Sequence, residues 1–369
     1  MKLSKVYIVL IFLSLIISSC KSKNDSPFYA KKVEMETGKI KVVVDPNVEM
    51  MMIIGRLSGA DTYSGPNVLS IPYIKEVDEY FKAFKEDPAV EMIRTYNSQP
   101  TLLLEYGYDL NESITGYKMS LDDKNFCMVY QDFSKKKIIL YSEKSNLEKI
   151  RQFRINTRFD DFFNSHKEEY ERQVKNAVDF IKECNLENWL QDFYGTTIKD
   201  SNCMFISYLG NGGNFGMAFR NSKGRDVPHV LISSGVFDKN IILLLLAHEF
   251  SHPRTEFITE LLYKNKKIKS IFDALYKKHS TWFHSHYYTS GYWVLNETIN
   301  QACANKFLEK NLSKEMMDEI NQKEIIEYQK MIYTPQIAEF LDNYENNRKK
   351  YKTLDDFVPE LEKFIETLE

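Results

Sequence analysis

No CxxC pair and no regular cysteine spacing occurs in this chain; its five cysteines stand at positions 20, 127, 184, 203 and 303, so no particular disulfide is dictated. A basic surplus is also missing. With 49 Lys and Arg against 52 Asp and Glu, nothing in the composition argues for nucleic acid or an anionic membrane surface as partner. Beyond the first twenty residues there is no apolar run of eighteen, so no later segment reads as a transmembrane helix. Internal repeats and low-complexity tracts are absent too. What remains is a globular composition. Hydrophobic residues make up 43% and aromatics 14%, enough for a packed core, and 369 residues suffice for one large domain or two ordinary ones.

The N-terminus has its own pattern. Lys2 and Lys5 precede an apolar stretch, Val6 to Ile17, interrupted by Ser14. Such a stretch is too short to span a bilayer, which takes ~20 residues, but has the length of a secretory h-region. It ends in Ile17-Ser18-Ser19-Cys20, which resembles a bacterial lipobox. That resemblance implies cleavage before Cys20 and a diacylglycerol on its sulfur, with residues 21–38 as a tether. The expectation is a lipid-anchored, extracytoplasmic protein of the bacterial envelope, at the outer membrane. The alternative is an ordinary secretory signal that happens to end near a cysteine.

Two textures follow. Residues 39–200 read as an α/β region. Ile40, Val42 and Val44 alternate before a turn at Asp45-Pro46-Asn47, and Val48–Leu57 is apolar enough for a buried helix or strand. Ile71–Lys85 has helical spacing, 125–141 is strand-like, and Leu147–Leu190 is mostly helical. Residues 201–369 read as a second region. Strands are expected over 203–209, 215–219 and 229–233, around a Gly210–Asn214 turn. Helices are then expected over 256–275, 292–308, 314–334 and 354–368. The fold class expected is α+β.

His248-Glu249-Phe250-Ser251-His252 fits H-E-x-x-H. Residues four apart on a helix share a face, so both imidazoles can reach one metal ion, and neutral imidazole is a good Zn²⁺ ligand. Glu249 lies to one side, where its carboxylate can take a proton from a water on the metal. The motif ends a strongly apolar run, Ile241 to Ala247, where two imidazoles and a carboxylate are costly unless satisfied. The bland alternative is a core helix whose polar end emerges into solvent. A catalytic zinc usually takes a third protein ligand. Glu256, Glu260, His279, His284, His286 and Glu297 are the candidates. Pro253 bends or ends the helix before Glu256. Glu297, opening the amphipathic run Trp293–Gln301, is preferred.

H-E-x-x-H with a glutamate on a following helix resembles the gluzincins, and that resemblance implies a zincin-like metallopeptidase core acting on a peptide or protein substrate. Thermolysin-like gluzincins carry an aspartate four residues beyond the ligand glutamate. Here the position is Gln301, whose amide oxygen could accept the same imidazole N–H. The chain also resembles an uncharacterised bacterial family, the DUF4932 proteins, through Val44–Met50, Arg56–Gly59, Tyr73–Phe81, Leu209–Gly216, His248–His252 and Asn296-Glu297. Between the motif and Glu297 lies an aromatic cluster in which His286, Tyr288 and Tyr292 are candidate oxyanion donors, each with aromatic packing as its plainer role. His229 is as readily a core histidine, and His166 a surface one. A rival reading is a non-catalytic binding lipoprotein with a structural or vestigial zinc site.

Overall fold

The structure, a computed structural model, describes residues 30–59, 71–96, 128–132, 137–141, 144–199, 201–210, 215–220, 226–233, 239–285 and 288–368. Cys20 and its leader, Cys127, the 211–214 turn and His286 lie outside the described residues.

Strand β1 (Val33–Thr37) turns at Gly38 and returns as β2 (Ile40–Val44). Gly38 has φ +56°, a left-handed conformation that favours glycine in a two-residue hairpin. The Asp45-Pro46-Asn47 turn then starts a helix. Asp45 caps α1 (Pro46–Leu57), accepting from the backbone N–H groups of Asn47 and Val48, with Pro46 preset in the first turn. Helix α2 (Pro72–Phe81) keeps Tyr73, Ile74, Val77 and Phe81 buried, as its spacing requires. Next come α3 (Pro88–Tyr96), a separate hairpin of β3 (Met128–Asp132) and β4 (Lys137–Tyr141), and four helices. These are α4 (Lys144–Asn156), α5 (Phe159–Ser165), α6 (Lys167–Glu183) and α7 (Leu186–Tyr194).

Strands β5 (Asn202–Ser207), β6 (Phe215–Arg220) and β7 (Asp226–Ser233) join the first hairpin in one sheet of order β1-β2-β5-β7-β6. Its middle is parallel, β2 to β5 to β7, and its two edge strands run antiparallel to their neighbours. The sheet therefore draws strands from both sides of residue 200. The buried apolar core is likewise continuous, from Val33 to Ile365. The architecture is mixed α+β, mostly helical around a small sheet.

The helical half contains α8 (Lys239–Glu249), α9 (His252–Leu262), α10 (Lys266–Lys278), α11 (Ser280–Ser285) and α12 (Gly291–Asn311). The single helix expected over 256–275 is divided, because Asn265 caps a new start by accepting from Lys267 and Ile268 N–H. After α13 (Lys314–Glu319) the backbone widens into a π-helix over Ile320–Tyr328, so 314–334 is not one α-helix either. Helices α14 (Thr334–Phe340), α15 (Asp342–Asn346) and α16 (Leu354–Ile365) complete the chain. Helix α12 is the hub of this half, packed against α8, α9, α10 and α14. No helix among the described residues is long and apolar enough to cross a membrane.

Candidate metal centre

His248 and Glu249 end α8, and His252 opens α9. The expected single helix through all three residues is interrupted by a turn at Phe250-Ser251. Pro253 supplies the reason. It has no N–H to return to the Glu249 carbonyl, and its ring crowds the turn before it. Ser251 N–H instead donates to the His248 carbonyl at 3.1 Å, and the Ser251 hydroxyl donates to the Ala247 carbonyl at 2.6 Å. The imidazoles converge across the break, with their Nε2 atoms 3.1 Å apart.

Helix α12 closes the centre from the other side. One oxygen of Glu297 lies 3.1 Å from His248 Nε2, and the other lies 3.8 Å from His252 Nε2. Glu249 Oε2 stands 3.8 Å from His252 Nε2. The ligand atoms of His248, Glu249 and His252 lie within 4.8 Å of one another, a group that could hold a metal ion. The two glutamate side chains are 13% exposed and the histidines 16% and 22%, so the cluster is recessed yet open to solvent.

Burial and charge pull the four groups apart. Burial opposes a charged His248, but the hydrogen bond and charge of Glu297, with Glu249 and Gln301, carry its pKa up to about 9. Burial lowers His252 to about 4, and the charge of His248 acts in the same sense. Glu249 is pushed up to about 7, by burial first and by Glu297 next, against the pull of His248. Glu297 falls below the usual carboxylate range, because the two histidines outweigh its burial. Two neighbouring carboxyls driven in opposite directions form a common acid–base arrangement.

The other expected residues divide. Gln301 Oε1 lies 2.9 Å from His248 Nδ1. Burial, and then the charges of Glu297 and Glu249, raise the Tyr288 phenol well above its ordinary value, which sets Tyr288 beside the carboxylates. Tyr292 belongs elsewhere. Its ring packs edge-on against Tyr263, and the charges that bear on it are Glu256 and Glu260. Glu256, Glu260 and His284 are exposed, while His279 stacks edge-on against Phe283, with its pKa lowered by burial, Lys278 and Lys330. His229 is a core residue, its Nδ1 bonded to the Val227 carbonyl. His166 is a partner of Glu76 at 2.9 Å. Cys184, Cys203 and Cys303 are free thiols.

Sequence reasoning missed the amides around this centre. Asn300 donates to the His248 carbonyl at 2.9 Å and accepts from the Thr255 hydroxyl at 2.8 Å. The Asn296 amide oxygen, buried and otherwise unpaired, bears on His252. The available signal was their spacing: 296, 300, 301 and 305 share one side of a helix otherwise rich in Ala, Cys and aliphatic residues.

Residues 40–364 match a family described as a domain of unknown function (DUF4932). The chain belongs to the DUF4932 family. Both the helix break and Glu297 fall inside the matched DUF4932 segment. No curated protein and no solved structure matches the chain.

Proposed function

We propose that this DUF4932 protein is a zinc-dependent hydrolase, with peptide bonds as its substrates, held to the bacterial envelope by a lipid on Cys20. The observation that carries the reading is a surplus of lone pairs. If His248 Nδ1 gives its proton to Gln301 and His252 bonds the Asn296 oxygen, both Nε2 atoms face Glu297 as acceptors. Three acceptors then meet at 3.1, 3.1 and 3.8 Å with no hydrogen among them. Ligand atoms at tetrahedral corners around zinc, with bonds of ~2.0–2.1 Å, sit about 3.3 Å apart. The donor set fits a zinc ion held by His248, His252 and Glu297.

A zinc ion bound there supplies a Lewis acid that polarises a carbonyl and lowers the pKa of water. The protein does the rest. Glu249, beside the three donors, takes one proton from the water whose oxygen attacks the carbonyl carbon. It delivers that proton to the nitrogen as the C–N bond breaks. Its elevated pKa suits both halves of the transfer. The Tyr288 phenol, kept protonated by burial, donates to the oxygen that gains charge. The zincin-like topology, the peptide specificity and the envelope location rest on resemblance, and the lipobox at Ile17–Cys20 supports the anchor.

The test is metal content of the chain purified without its leader, beside His252→Ala, Glu297→Ala and Glu249→Gln. About one zinc per chain is expected in the wild type and in Glu249→Gln, and little in the other two. Peptide-library cleavage should then be lost in Glu249→Gln alone among the metal-loaded proteins. A wild type that takes up no zinc sinks the proposal. Zinc retained by Glu297→Ala removes Glu297 from the ligand set. For the anchor, palmitate label is expected on the full-length wild type and absent from Cys20→Ala; equal labelling removes the lipid.

A further inference from the structure

Helix α12 buries four carboxamides, Asn296, Asn300, Gln301 and Asn305. A buried carboxamide needs partners for its oxygen and its NH₂, and which end faces which neighbour matters. From Gln301 a line of bonds leads away from the histidine. Gln301 Nε2 donates to Asn305 Oδ1 at 3.0 Å, and Asn305 Nδ2 donates to Asn321 Oδ1 at 2.9 Å. Asn321 lies in the π-helical segment, an uncommon geometry often found near functional sites. Each donor amide turns its NH₂ outward and its oxygen back, so the Gln301 oxygen meets His248 Nδ1.

We infer that Gln301 is a positioning residue, and that the Gln301–Asn305–Asn321 line determines which nitrogen of His248 carries the proton. A neutral imidazole can protonate either nitrogen, and the hydrogen bond at one fixes the state of the other. An amide oxygen only accepts, so Nδ1 must be the protonated atom and Nε2 presents its lone pair to Glu297 and His252. Were the line reversed, the Gln301 NH₂ would face the ring. The proton would then sit on Nε2, where it blocks a metal, because a ligating nitrogen must be unprotonated.

The line is neutral throughout. Ligating histidines commonly hand this proton to a carboxylate or a backbone carbonyl, and a carboxylate raises the basicity of the ring. Gln301 gives the orientation without the added charge. Neither Asn305 nor Asn321 contacts a candidate ligand in any bond described above, so their influence on the centre passes through Gln301. The consequence for zinc rests on the reading proposed above, but the position of the proton does not.

The experiment is ¹⁵N imidazole NMR on the full chain, metal-free and zinc-loaded, paired with zinc competition against a chromogenic chelator. A slowly exchanging His248 Nδ1 proton is expected in the wild type and in Gln301→Glu, but not in Gln301→Leu. Zinc affinity should fall roughly 10- to 100-fold in Gln301→Leu and hold or tighten in Gln301→Glu. Asn321→Leu should speed Nδ1 exchange and weaken zinc several-fold, while Asn321→Asp, which keeps the accepting oxygen, should restore both. The inference is overturned by an Nε2 proton in the wild type, or by Asn321→Leu leaving Nδ1 exchange unchanged. A wild type that ignores zinc but keeps a slow, Asn321-dependent Nδ1 proton ends the metal reading and leaves this one standing.

Discussion

Glu49 on α1 and Glu297 on α12 are both withdrawn from bulk water, and their surroundings differ in kind. Glu49 is 2% exposed; the Tyr73 hydroxyl donates to it at 2.6 Å and stands 2.8 Å from the Tyr170 hydroxyl. Burial, the largest influence, pushes its pKa up to about 6, although Tyr73 and Ser207 pull the other way. Every partner there brings a hydroxyl proton. Around Glu297 the partners are imidazoles and a second carboxylate, and the protons run short. A buried acid is therefore no mark of a site by itself. The mark is an excess of acceptors within reach of solvent.

Three substitutions would break or sharpen that contrast. The largest effect is expected at Tyr288. If its phenol serves the open cluster, Tyr288→Phe should cost about a hundredfold in peptide turnover, roughly 2.7 kcal/mol, without changing zinc content; unchanged turnover would remove it from the chemistry. Next is Glu49. With a folded pKa near 6 against an ordinary 4.5, the native state binds more protons across that interval, so its stability falls as pH rises through it. Above it the carboxylate costs about 2 kcal/mol. Glu49→Gln should thus unfold at higher denaturant than wild type at pH 7.5 and match it near pH 4.5. A difference that is the same at both values would show that the acid does not titrate as described. The smallest effect belongs to Tyr292, which faces Tyr263 and away from the carboxylates; Tyr292→Phe should leave turnover within about twofold. A large loss there would redraw the edge of the centre.

How much of this could be read beforehand follows from periodicity. Helix α2 is amphipathic and legible, whereas Val48–Ile54 is buried on every side, and such a run has no period to separate helix from strand. The deciding clue was local: Asp45-Pro46 is a helix start. The parallel pairing of β2 with β5 joins residues far apart in the chain, and no local pattern announces it. At the centre, the four-residue spacing of His248 and His252 was enough to bring the imidazoles together. The break between them followed from Pro253, one turn upstream of where its effect was expected. Glu297 and Gln301 were legible because they stand four apart on one helix. Asn296 and Asn300 were not, since an amide in a helix reads as solvated until its neighbours are known.

Asn300 holds the carbonyl of His248 with one end and the hydroxyl of Thr255 with the other, and so spans the gap between α8 and α9. A caliper works this way: two jaws on separate arms, their opening set by a screw that belongs to neither. The two histidines are the jaws, and the screw is part of the helix that bears Glu297. The gauge of the opening is thus kept by one element, and α8 or α9 can flex against the sheet without resetting it.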